Sequence, residues 1–162
     1  MRETEKYVFF YKDKIAHWNM TPFKDKNGVE YNCMEQFMMA TKALIFLDNV
    51  NYDNIMLSED PAHIQQLGRY VQNFDQKIWD ATKQEIVYAG NLFRFQQNKE
   101  LRDILLGTGD KILAEANPDD LIWGIGMDMN DPLVDDSRNW KGENLLGEVL
   151  MDVREQLRNQ SS

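Results

Sequence analysis

Apolar residues follow two different spacings along this chain, and the change from one to the other falls near residue 32. Before it, YVFFY (7 to 11) is aromatic and β-branched, DKNG (25 to 28) has the composition of a hairpin turn, and VEY (29 to 31) is extended again, so strands and turns are predicted. After it the spacing becomes helical. A first helix is expected from Asn32 or Cys33 to Leu47. Asp60 followed by Pro61 reads as an N-cap with proline at the first helical position, opening a short helix that Gly68 closes. Asp75 caps a long helix, QKIWDATKQEIVYAGNLFRFQQN, whose buried stripe is expected at Ile78, Thr82, Ile86, Ala89 and Phe93, with Gly90 as a weak point inside it. Asn98 caps KELRDILL, and Gly107 takes the left-handed position that ends it.

KILAEA (111 to 116) is short and bounded by GTGD and NPDD, so it is expected as a strand. IWGIG (122 to 126) is apolar with two glycines, and MDMNDPLVDDSRNWKGEN (127 to 144) is the one long irregular stretch, of a length common in functional or mobile loops. A final helix presents Leu145, Leu146, Val149, Leu150, Val153 and Leu157 on one face, and its end, RNQSS (158 to 162), is expected to fray. The predicted architecture is α+β: a single compact domain over 1 to 162 with its core in about 7 to 157, mainly helical, with a small sheet from the N-terminal and central strands.

Composition narrows what such a domain binds. The 162 residues are 43% hydrophobic, enough for one stable core. Eighteen basic residues against 27 acidic ones give a net charge of -9, which argues against a non-specific grip on nucleic-acid backbone and leaves room only for a local basic pocket. Cys33 is the sole cysteine, so no disulfide forms within the chain and a reducing, cytoplasmic setting is expected. MRETEKY is charged and no apolar run approaches the roughly 20 residues that cross a bilayer, so no membrane partner is expected. His17, His63 and Cys33 stand at no metal-ligand spacing, and neither a metal nor a cofactor is expected.

The first helix carries the sharpest anomaly. At 100° per residue, Cys33, Phe37, Ala40, Leu44 and Leu47 share one face, while Glu35, Met38, Met39, Lys42 and Phe46 lie roughly opposite. Two apolar faces imply burial on both sides, and a charge held there costs several kcal/mol unless it is paired or used. A structural Glu35 to Lys42 ion pair is one reading. Their α-carbons are about 10 Å apart along the axis, so the heads meet only by stretching, and a small ligand fits the gap. A lysine in apolar surroundings becomes a usable nucleophile, and a glutamate there a usable acid or base. Elsewhere the readings stay double. WGIG is a plain strand or a close backbone approach; Trp123 and Trp140 are core residues or stacking plates; Arg69 is solvated or binds phosphate. His17 reads as a structural histidine, and GTGD as a turn lacking phosphate-loop spacing.

Taken in order, IAHWNMTPF, YNCMEQFMMATKALIF, LGRYV, the run from FDQKIWD to LIWGIGM, and WKGENLLGEVLMDVR resemble the YbiA/NADAR family over roughly residues 7 to 157. The resemblance implies an N-glycosidase that hydrolyses the bond between C1 of a ribose phosphate unit and nitrogen, with ribosylaminopyrimidine intermediates of riboflavin synthesis or ADP-ribosylated guanine as substrates. Its catalytic positions fall on Glu35 and Lys42. Its substrate-binding positions fall on Trp18, Arg69, Trp123, Gly124, Trp140, Gly142 and Asn144. Some members have histidine and glutamine where this chain has Gln36 and Met39, so contacts there differ. In both substrate types the sugar hangs on an exocyclic amine, which allows attack by Lys42 and a Schiff base, or ordinary glycoside hydrolysis through a carboxylate-activated water. A non-catalytic module that binds ADP-ribose or a related nucleotide is the alternative.

Overall fold

The computed structural model describes residues 1 to 160. In chain order its strands are β1 (Arg2–Glu3), β2 (Tyr7–Phe10), β3 (Phe23–Lys24), β4 (Glu30–Tyr31) and β5 (Ile112–Glu115). Its helices are α1 (Met34–Ile45), α2 (Asn49–Leu57), α3 (Pro61–Arg69), α4 (Gln76–Gln97), α5 (Lys99–Gly107) and α6 (Leu145–Gln160), with a 3-10 turn at Ser137–Asn139. The fold class is α+β, as expected. Contacts divide the chain into two units, one formed by Met1–Ala16 with the stretch from Lys99 onward, the other by His17–Asn98.

In the first unit β2 is the central strand, antiparallel to β1 and parallel to β5 with Tyr7 opposite Ile112 and Phe10 opposite Glu115. All four β2 residues are buried, which is why this strand reads as a continuous apolar run instead of an alternation. Helix α6 lies against β5 and buries Leu146, Val149, Leu150, Val153 and Leu157, the expected face. Its end departs from expectation. Arg158 to Gln160 continue the helix, and Arg158 donates to the Asp110 carboxylate at 2.9 Å and to the Gly109 carbonyl; Ser161 and Ser162 lie outside the described residues.

The second unit is built around α1, against which α2, α3 and α4 all pack. Ahead of it the β3–β4 hairpin closes as its composition requires, with the Asp25 carboxylate accepting from Asn27 N (2.9 Å) and Val29 N (3.0 Å) and Gly28 at φ +82°. Asp60 and Asp75 cap α3 and α4 with their side chains.

Several sequence expectations are corrected. Helix α2 has no counterpart among them, because NVNYDNIML is poor in strong helix formers and buries only Ile55; Asp48 starts it by accepting from Asn51 N. Gly68 lies inside α3, and a β-carbon there would stand 2.0 Å from Met39 Sδ, so it is a close-approach residue and not the terminator. Gly107 likewise belongs to α5, and Gly109 takes the left-handed conformation at φ +63°. Leu44 and Leu47 are exposed at the end of α1. Of the two readings of WGIG, the strand is absent and the close backbone approach is present, at Gly124. The α4 stripe is rotated by one residue, burying Trp79, Val87, Gly90, Asn91 and Arg94, while Ile78 faces solvent. The polar members of that stripe hid it from a hydrophobicity count.

Candidate functional site

Burial on both sides of α1 holds as expected: every residue from Met34 to Ala40 is buried, Glu35 included at 6% exposure, and Lys42 is half-buried. The helix begins at Cys33, and Glu35 N donates to the His17 carbonyl at 3.1 Å. Glu35 thus sits in the first turn and Lys42 in the last, where the helix dipole favours the carboxylate and the ammonium respectively. Gln36 belongs to the scaffold. Its Oε1 accepts from Asn32 N, and its Nε2 donates to the carbonyls of Ile55 (3.1 Å) and Ser58 (3.2 Å), satisfying acceptors at the end of α2. Met39 is likewise occupied, by its contact with Gly68.

Lys42 lies over two aromatic rings. Its Nζ lies 4.6 Å from the centroid of Phe74 and 5.6 Å from that of Trp79. Burial pulls the ammonium below the ordinary lysine range, Glu35 opposes that shift, and Arg69, at the end of α3, adds to it. Glu35, Lys42 and Arg69 are therefore brought together in one unit. Trp18 belongs to the same unit and is 39% exposed.

Beneath Glu35 lies a polar group that sequence reading treated only in part. His17 Nε2 is 3.1 Å from Asn91 Nδ2, which also donates to the Val87 carbonyl at 2.9 Å, so Nε2 is an acceptor and the ring is neutral. Arg94, fully buried on the same stripe of α4, acts on the His17 charge. Burial and then Arg94 push the imidazole down to about 3 from 6.5, which fits the structural role expected for His17. Between those two values the unfolded chain holds a proton that the folded chain does not, so stability falls as pH falls through that window. Down to pH 4 the expected loss is on the order of 3 kcal/mol. Urea unfolding at pH 7, 5 and 4 measures it, and His17→Gln should flatten the dependence; an equal slope in both proteins contradicts the assignment.

The remaining sequence candidates lie in the first unit and make a structure of their own. Asn144, at φ +57°, accepts from Glu115 N at 3.1 Å through Oδ1 and donates to the Leu113 carbonyl at 2.9 Å through Nδ2, while its own N–H reaches the Gly124 carbonyl at 3.0 Å. Gly142 N donates to Ile125 O at 2.8 Å, and a β-carbon there would lie 2.2 Å from Gly124 O. A β-carbon on Gly124 would in turn meet Glu115 O at 3.0 Å. These three residues weld the loop to β5 and to the start of α6. Trp140 packs its ring against Tyr7 and Phe9, with centroids 5.4 and 6.3 Å away, and donates from Nε1 to Val134 O at 2.8 Å. Trp123 is half-buried, and its N–H donates to the Asp120 carboxylate at 2.9 Å. Phe74, Trp79, Asn91 and Arg94 are the residues that sequence reading missed. A wheel of α4 that admitted polar residues to the buried stripe would have shown the last three.

Comparison with known proteins decides the family. The NADAR domain family matches residues 2–158. The chain belongs to the NADAR family. It is 43% identical to a protein of Acanthamoeba polyphaga mimivirus named an N-glycosidase, over 95% of this chain and 98% of that one. It is 38% identical to the protein irg-1 of Caenorhabditis elegans, over 95% of this chain and 81% of that one. The solution structure of Escherichia coli YbiA superposes with a TM-score of 0.79 at 27% identity, covering 99% of this chain and 89% of YbiA. This NADAR chain has, among its described residues, no helix long and apolar enough to cross a membrane.

Proposed function

We propose that this NADAR protein is an N-glycosidase that hydrolyses the C1–N bond between ribose phosphate or ADP-ribose and an amine-bearing base. One observation carries the reading: Glu35 and Lys42 share a helix buried on both sides, and the Lys42 amine lies over the rings of Phe74 and Trp79 and is acted on by both Glu35 and Arg69. The name of the mimiviral relative supports the reaction class.

The chemistry follows from the exocyclic amine of the substrate. Protonation of the ring oxygen opens the aminoacetal to an imine, and the neutral Lys42 Nζ adds to C1. Glu35 takes one proton from the newly bonded Lys42 nitrogen and passes it to the base nitrogen, the C1–N bond to the base breaks to release the free amine, and C1 remains bound to Nζ as a protonated Schiff base. Water, losing a proton to Glu35, adds to C1, and collapse expels the lysine amine and frees the ribose phosphate. Arg69 supplies positive charge suited to a phosphate. The net charge of -9 favours small phosphorylated substrates over long nucleic-acid tracts, with a single modified base presented in a cleft as the nucleic-acid case. Cys33 is buried and its thiol is pushed up to about 11, which suits a thiol kept reduced in the cytoplasm.

Incubation with a ribosylaminopyrimidine phosphate, ADP-ribosylated guanine DNA and NAD, followed by mass spectrometry, tests the reading. Release of free base and ribose phosphate (or ADP-ribose) from at least one is expected, and borohydride added during turnover should leave a reduced adduct on Lys42. Robust turnover with no adduct eliminates the Schiff base, and release from none of the three returns the protein to the class of nucleotide-binding modules.

A further inference from the structure

Phe74 is 40% exposed, yet the segment that carries it is held down along its length. The Asp48 carboxylate, itself buried, accepts from Gln72 N at 2.8 Å and from Asn51 Nδ2 at 2.6 Å, and Asn51 Nδ2 also donates to the Tyr70 carbonyl at 3.1 Å. Those bonds hold the Asp48 carboxyl below the usual carboxylate range, the Gln72 N–H contributing most. Asn73 takes the left-handed conformation at φ +61°, and Asp75 locks the start of α4 by accepting from Lys77 N at 2.9 Å. Phe46 supports the ring edge-on, with centroids 5.2 Å apart. An exposed aromatic fixed this firmly, with Lys42 Nζ 4.6 Å from its centroid, is placed for the ammonium. Trp79, only 7% exposed, supplies a second ring, its centroid 5.6 Å from Nζ.

We propose that Phe74 and Trp79 form an aromatic clamp that fixes the Lys42 ammonium in place, and that the amine becomes free to react only by giving up this contact. Both residues are positioning residues for the chemistry proposed above, and the inference deepens that reading. A ring face attracts a cation through its quadrupole and has no such hold on a neutral amine. The clamp therefore joins Glu35, on the same helix, in favouring the charged form, against burial and against Arg69 on α3. Among the described residues these two are the charged groups that act on Lys42. A lysine balanced between such opposing influences can hold its place as a cation and still release a proton when the substrate arrives.

Replacing Phe74 with mono-, tri- and pentafluorophenylalanine weakens and then inverts the ring quadrupole at nearly constant size, which leaves desolvation almost untouched. The readout is the pH titration of the Lys42 13Cε resonance in substrate-free protein, assigned by its loss in Lys42→Met. The midpoint should fall stepwise along the series by about half a pH unit, a roughly threefold change in the ionisation constant. Midpoints that coincide across the series, in proteins that melt together, overturn the clamp. Turnover tests the other reading separately. If neutral Lys42 is the nucleophile, the acid limb of kcat/KM moves to lower pH with the midpoint. A midpoint that moves while the limb stays keeps the clamp and removes Lys42 as nucleophile.

Discussion

Lys42→Met is expected to lower the release of free base by a factor of at least about 10³ while the protein stays folded. Methionine keeps the length and apolar contact of the lysine stem among Phe74 and Trp79 and removes only the amine, so the loss measures chemistry and not collapse of α1. Glu35→Gln should cost about 10² to 10⁴ for the same reason, since the amide retains the shape of a residue 6% exposed but moves no protons. Lys42→Arg separates the roles open to the residue. Arginine carries the charge at every working pH and cannot become a neutral amine, so it should fail to restore turnover. Steady-state rates with the substrate that gives the strongest product signal, alongside thermal melts, provide the comparison. Recovery of activity in Lys42→Arg would make the residue a fixed cation for phosphate, and the water-attack route would then be the mechanism.

Gly142→Ala should destabilise the first unit by about 3 kcal/mol, lowering the melting temperature by roughly 6 to 12 °C. The added β-carbon would lie 2.2 Å from Gly124 O, 3.0 Å from Ile125 C and 3.0 Å from Leu121 Cα. Each of those atoms is backbone, so no side chain can swing aside. The loop must move by about an ångström, and in doing so it strains the bonds from Gly142 N to Ile125 O (2.8 Å) and from Asn144 N to Gly124 O (3.0 Å). Gly107→Ala is the comparison, because nothing lies within 4 Å of the β-carbon it would add and the site is helical; it should be neutral or stabilise by up to about 1 kcal/mol. A Gly142→Ala protein that melts with the wild type would show that the weld between loop and β5 is soft.

The same weld gives the tryptophan-glycine-asparagine group a place in the scaffold. Its residues stand out in the sequence and match the family, and Trp140, Gly142 and Asn144 each have a definite structural task in this fold. Asn144 in particular uses both ends of its amide on β5, at Glu115 N and Leu113 O. Spacing along the chain cannot distinguish a residue that binds a ligand from one that binds its own backbone.

What the sequence determined alone was whatever depends on near neighbours. Caps at Asp60 and Asp75, the Asp25 turn, the apolar face of α6 and the doubly buried character of α1 are set within a few residues, by a side chain reaching a nearby N–H or by helical periodicity. The family could be named from motif order for the same reason. Tertiary structure alone decided which stripe of α4 is buried, since that stripe includes Asn91 and Arg94, whose burial depends on partners far along the chain such as His17. It also decided that α2 is a helix, a weak former held at Asp48 and Gln36. It placed Phe74 and Trp79 around Lys42, more than thirty positions away in sequence, where no period or local bond points. Local physics put the two charges on one helix; only packing from α3, α4 and the segment between them set Arg69, Phe74 and Trp79 about Lys42.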